Sequence, residues 1–138
     1  MDYVHTVLVN DEEYIIQTCS ANQQWDMLNM FFRYGLSDAL YQIAVGNREL
    51  IAASLFGKFS ELASDKERAQ VTEMLLGTCT KKGEKKPVEI DDFHGRMYSY
   101  ILLHIEALKI NYSDFMPILL TPEEEAEEPT PGDTLSPL

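Results

Sequence analysis

The stretch from Ile90 to Leu120, IDDFHGRMYSYILLHIEALKINYSDFMPILL, decides the fold, because it is the longest unbroken run that places apolar residues at helical spacing. Phe93, Met97, Ile101, His104, Leu108 and Tyr112 follow one another at steps of four, four, three, four and four, which is one stripe of a 3.6-residue helix. Tyr100, Leu103, Ala107 and Ile110 fill an adjacent stripe. A helix apolar over so wide an arc needs neighbours on more than one side. The spacing predicts a central helix capped at its start by Asp91 or Asp92. After it, Ser113 and Asp114 open a short turn before Pro117, and Tyr112 and Phe115 are expected to pack back under the bundle.

The chain upstream supplies the neighbours. Val4 to Val9 and Tyr14 to Thr18 are β-branched or aromatic runs joined by the polar residues Asn10, Asp11, Glu12 and Glu13, a pattern that predicts a β-hairpin. Its covered face includes Val7, Val9 and either Ile15 or Ile16. Ser20 and Gln23 have capping-box spacing ahead of Trp25, Leu28, Phe32 and Leu36, and Gly35 is placed to end that first helix. Trp25 is therefore expected in the core. A short helix through Ala39, Leu40, Ile43 and Ala44 stops at Gly46, and Asn47 caps a third. The third presents Leu50, Ile51, Ala52, Leu55, Phe56, Phe59 and Leu62. Ser64 or Asp65 starts a fourth, with Ala69, Val71, Met74, Leu75 and Leu76 on its buried side and Gly77 at its end. Residues 78–87 have loop composition, and Val88 to Ile90 is a short extended piece. The fold class is α+β, mainly α, with an N-terminal hairpin packed on a bundle of about five helices.

The chain has 138 residues, 45% hydrophobic, enough for one domain with its own core, placed here at residues 1–120. Beyond Leu120, TPEEEAEEPTPGDTLSPL holds six acids and no base, so residues 121–138 are expected to be a disordered acidic tail carrying half of the net charge of −12. Such a balance excludes a basic nucleic-acid-binding face. Lys81, Lys82, Lys85 and Lys86 read as a solvated loop. The N-terminus lacks a signal peptide, and His104, Glu106, Lys109, Asn111, Asp114 and Pro117 interrupt the most apolar stretch, so no membrane span is expected. Cys19 and Cys79 stand apart without a CxxC motif and read as free thiols in a reducing compartment.

Nothing in the pattern calls for an enzyme, a cofactor or a metal. His5, His94 and His104 form no ligand pair at i and i+3 or i+4, and no GxSxG, GxGxxG or Walker sequence occurs. His104, on an apolar stripe, reads as a core-edge histidine bonded to a backbone carbonyl. The unusual feature is the crowding of Trp25, Met27, Met30, Phe31, Phe32 and Tyr34 within ten positions of one helix. Most of these side chains are expected in the core, and a surplus Met/Phe face is the composition of a surface that receives another apolar helix. Met27, Met30, Phe31, Phe32 and Tyr34 are thus candidate partner-binding residues, with Trp25, Phe93, Tyr112 and Phe115 as structural ones.

Three segments resemble the tail assembly chaperones of long-tailed bacteriophages and prophages over residues 3–116. The opening VLVNDEEYIIQTCSANQQWDMLNMFFRYG is similar to their strand, polar turn, strand and amphipathic helix. IDDFHGRMYSYILLHIEALKINYSDF is similar to their closing helix, with Asn111, Tyr112, Asp114 and Phe115 fitting its final phrase. The polar loop between the helices is the third. The resemblance implies a non-enzymatic protein of the bacterial host cytoplasm that binds the helical tape-measure protein and keeps it soluble while the tail tube polymerises around it. The tail tube protein is a further candidate partner, and self-association is compatible with this role. The resemblance also implies a programmed frameshift in many members, and an acidic end after Leu120 fits the shorter product. A reading from another class is a small acidic regulator or immunity-type protein that inhibits a basic partner by charge mimicry.

Overall fold

A computed structural model describes residues 3–44 and 49–113, and the side chains of residues 3–40 and 54–113. The expectations for Gly46 and Asn47, for Phe115 and its turn, and for the acidic tail lie outside these residues, and those for Ile43, Ala44, Leu50, Ile51 and Ala52 concern side chains outside the described ones. Two strands, β1 (Val4–Val9) and β2 (Glu12–Gln17), open the chain. Then come α1 (Ala21–Arg33), α2 (Ser37–Ala44), α3 (Glu49–Leu62), α4 (Asp65–Leu76), a short β3 (Thr80–Lys81), a 3-10 turn over Ile90–Phe93, and α5 (Met97–Asn111). The sheet is antiparallel with order β1-β2-β3.

The hairpin closes through Asn10 and Asp11 alone, both at positive φ (50° and 69°), the signature of the type I′ turn whose twist matches two antiparallel strands. Asn and Asp accept this left-handed region better than other side-bearing residues. Glu12 and Glu13, expected in the connection, belong to β2. Pairing of Val7 with Tyr14 and of Val9 with Glu12 sets the faces: Val9, Tyr14 and Ile16 are buried, so Ile16 rather than Ile15 joins the core. The basic loop contributes a strand. Lys81 and Lys82 reach Glu12 and Glu13 at 2.8 Å each, which draws Thr80 and Lys81 onto the edge of β2. Nothing in a two-residue strand is visible as periodicity.

Helix α5 is the axis. From Leu102 to Leu108 every residue is buried, and it packs against β1, α2, α3 and α4. It begins later than its stripe predicts. Gly95 takes φ +76°, and Arg96 donates its N–H to Phe93 O at 2.7 Å, so the chain turns sharply between the 3-10 turn and the helix. Phe93 is fully buried on that turn and stacks near Tyr14, with centroids 6.2 Å apart. Asp92 accepts the Glu89 N–H at 2.9 Å and so closes the 3-10 turn instead of capping the long helix. Met97, at the new start, is exposed.

Local capping follows the sequence closely. Ser20 with Gln23 and Ser64 with Glu67 form reciprocal capping boxes at the starts of α1 and α4. After α1, Gly35 (φ +71°) donates to Phe32 O and Leu36 donates to Phe31 O, the two bonds of a Schellman motif, with buried Phe31 and Leu36 as its apolar pair. Arg68 Nη1 donates to Ser60 O and Ala63 O, satisfying carbonyls at the end of α3. On α3 and α4, Leu62 and Ala69, expected in the core, are exposed.

Candidate partner-binding surface

Helix α1 carries two apolar stripes, and of the stripe expected inside, Leu36 is buried while Trp25 and Phe32 face out. Met27, Met30 and Phe31 are buried, Phe31 meeting Phe59 edge-on at 5.6 Å. Trp25, expected in the core, is 62% exposed, and Phe32 is 50% exposed. Both stripes have helical spacing, so periodicity alone does not choose between them. The choice is made by contacts from distant sequence: Phe31 meets Phe59, and Gln24 meets Asn111. Trp25 and Phe32, seven residues apart, stand on one outward face two turns apart, about 10 Å along the helix axis, with half-buried Leu28 between them.

Tyr34 is half-buried against Phe59, and its hydroxyl donates to Glu67 at 2.5 Å. Arg33 meets the other oxygen of Glu67 at 2.7 Å. The tyrosine hydroxyl, with help from the Ser64 N–H and Arg33, holds the Glu67 carboxyl below its ordinary range. Tyr34 therefore fastens α1 to α4 and is less available to a partner than its position suggested.

A second apolar surface went unread in the sequence. Between α3, α4 and α5 lies a groove of about 290 Å³ lined by Phe56, Phe59, Val71, Ile90, Tyr100 and Ile101 above His104. Ile90 is 54% exposed at this groove, and Met97, one turn before Ile101, is also exposed.

His104 and the two cysteines are held in unreactive states. His104 is buried between Phe56 and Tyr100. Its Nδ1 donates to Tyr100 O at 2.8 Å, since a carbonyl only accepts, so Nε2 accepts from the Thr72 hydroxyl at 3.0 Å. Burial pushes this imidazole down to about 4. It is the carbonyl-bonded core histidine that its stripe suggested. Cys19 donates its thiol to Met74 O at 2.8 Å, and Cys79 is fully buried. Both are free thiols, pushed by desolvation to about 11 and about 12, which leaves almost no thiolate for nucleophilic work at neutral pH. Among the described residues no group of His, Cys, Asp and Glu is placed to hold a metal. Nor is any described helix long and apolar enough to cross a membrane.

The exposed apolar surface sits on a hairpin-and-bundle scaffold, and the comparison with protein families places the chain. Residues 10–121 match the family described as phage tail assembly chaperone protein, TAC. The chain belongs to this family. Chaperones of the family are in general non-enzymatic. No curated protein and no solved structure matches the chain.

The match runs from the hairpin turn through α5, and in this tail assembly chaperone the phrase at the end of α5 has a structural task. Asn111 Oδ1 accepts the Cys19 N–H at 2.8 Å and the Gln24 Nε2 at 3.0 Å, while its Nδ2 donates to Ala107 O at 2.8 Å. Tyr112, buried, donates its hydroxyl to Gln24 O at 2.7 Å. At the other end of α5, Asn10 of the hairpin turn donates to Ser99 Oγ at 2.6 Å. The hairpin is pinned along the central helix at both ends, which fixes where α1, and with it Trp25 and Phe32, face solvent.

Proposed function

We propose that this tail assembly chaperone binds the tape-measure protein in the cytoplasm of the bacterial host and keeps its apolar helical segments soluble until the tail tube forms, with the tail tube protein as a second partner. The observation that supports this most is the outward Trp25 and Phe32 of α1, large aromatic groups held in water by a helix whose inner face is already full. Of the Met/Phe cluster, Phe32 serves the partner. Met27, Met30 and Phe31 act instead as the core that presents it. The groove between α3, α4 and α5, lined by Phe56, Ile90 and Ile101, offers a second apolar contact.

Binding of an amphipathic helix to such surfaces is driven by apolar burial, at about 25 cal/mol per Å², and survives added salt. Charge mimicry by the acidic segment does not, because exposed charges are screened over about 8 Å at physiological ionic strength. Co-expression with the tape-measure protein tests the reading: the tape measure should become soluble and co-purify at both low and high salt. A tape measure that stays insoluble contradicts it, and a complex with a basic partner that dissolves at high salt favours inhibition by mimicry.

A further inference from the structure

Strand β1 is an edge of the sheet. In the register with β2 the bonded pairs are Val9 with Glu12, Val7 with Tyr14 and His5 with Ile16, and Thr18 N–H continues the ladder to Tyr3 O. The alternate residues Val4, Thr6 and Leu8 consequently point their N–H and C=O groups away from the sheet. Among the described residues no strand pairs with that side. Their side chains all stand on the solvent face, with Val4 and Leu8 57% and 58% exposed and Thr6 exposed between them.

Edges of natural sheets are blunted by lysine, proline, bulges or inward-pointing charge. VHTVLV has no proline, lysine or carboxylate, although the whole chain carries a net charge of −12. The outward groups are also symmetric about Thr6. Set antiparallel to itself, the strand places Thr6 against Thr6 of a second copy and Val4 against Leu8 on both sides, forming about six main-chain hydrogen bonds. A hydroxyl pair flanked by two apolar pairs is a favourable cross-strand set. A shift by two residues matches Thr6 with Val4 or Leu8, and larger shifts leave fewer bonds.

We infer that β1 is a dimerisation edge, through which two copies of this chain join their sheets by antiparallel pairing centred on Thr6. The joined sheet has the strand order β3-β2-β1-β1-β2-β3 and is independent of tape-measure binding. Because both copies are acidic, the dimer tightens as salt screens their repulsion.

Sedimentation of the full chain alone tests this, with Thr6→Lys and Thr6→Asp as variants of an exposed side chain that leaves the core untouched. The wild type should sediment at twice the chain mass of 15.8 kDa across the micromolar range. Each variant should sediment as a monomer with an unchanged circular dichroism spectrum, since like charges then face each other at the symmetry axis. Mixing the two variants should restore the dimer, because lysine then faces aspartate. A monomeric wild type overturns the inference, as does a dimer that persists in Thr6→Lys or a mixture that stays monomeric. Protection of the β1 amides from exchange only after a phage tail protein is added would assign the edge to that partner and likewise overturn it.

Discussion

Asn111 Oδ1 accepts the backbone N–H of Cys19 at 2.8 Å, across ninety-two positions of sequence, so the last residue of the central helix holds the junction between the hairpin and α1. The same oxygen takes the Gln24 amide, and the neighbouring Tyr112 hydroxyl reaches Gln24 O. Three bonds from two adjacent residues thereby fix the direction in which α1 leaves the sheet.

Asn111→Ala should cost about 1 to 3 kcal/mol, because it removes an acceptor and leaves the Cys19 N–H short of a partner. Chemical denaturation reads the loss directly. Tyr112→Phe should cost less, about 0.5 to 1.5 kcal/mol, and the double variant should be non-additive, since both residues hold Gln24. Unchanged midpoints would mean that water replaces these bonds without loss.

The two stripes of α1 separate stability from binding. Phe31→Ala should destabilise the fold by about 3 to 5 kcal/mol and Met27→Ala by about 2 to 5 kcal/mol, as buried residues that leave cavities. Trp25→Ser and Phe32→Ser, at exposed positions, should each stay within about 0.5 kcal/mol of the parent. Thermal melts of the four variants check the assignment, and the reverse ranking would restore the orientation that the Trp25, Leu28, Phe32, Leu36 stripe suggested.

His104 makes stability depend on pH in a defined window. Its folded value, about 4, lies below the ordinary 6.5, so between these pH values the unfolded chain binds a proton that the folded chain refuses. Stability from this group is complete above pH 6.5, falls as pH drops, and levels off below about 4. The expected loss between pH 7 and pH 5 is about 2 kcal/mol. His104→Gln should flatten that part of the profile, and an equally steep profile in the variant would place the titration elsewhere.

Gly95→Ala should cost about 1 kcal/mol or more, because φ +76° is strained for any residue with a Cβ. Open space around the position excludes a clash as the cause. A neutral substitution, measured by denaturant midpoint, would show that the chain relaxes there into a continuous helix.

What the sequence reveals here is local. The hairpin, both capping boxes, the end of α1 at Gly35 and the buried run of α5 follow from residues within a few positions of one another, and the resemblance to tail chaperones rests on those same segments. The orientation of α1 does not, because its two apolar stripes are equally regular and the decision belongs to contacts with Phe59 and Asn111, far away in sequence. Strand β3 depends on Lys81 and Lys82 finding Glu12 and Glu13, so a charged loop became a sheet edge. The start of α5 was misplaced because Phe93 fits the helical stripe, while the left-handed Gly95 ends that register. The groove beside Ile90 is built by α3, α4 and α5 together, so no one segment announces it.

The most direct measurement of the central claim is a salt-resistant pull-down of the tape-measure protein by this chain and by its Trp25→Ser/Phe32→Ser variant. The wild-type chaperone should retain soluble tape measure in high salt, and the variant, melting at the same temperature, should lose at least tenfold of it. Equal retention by the stably folded variant would contradict the claim that the outer face of α1 carries the partner.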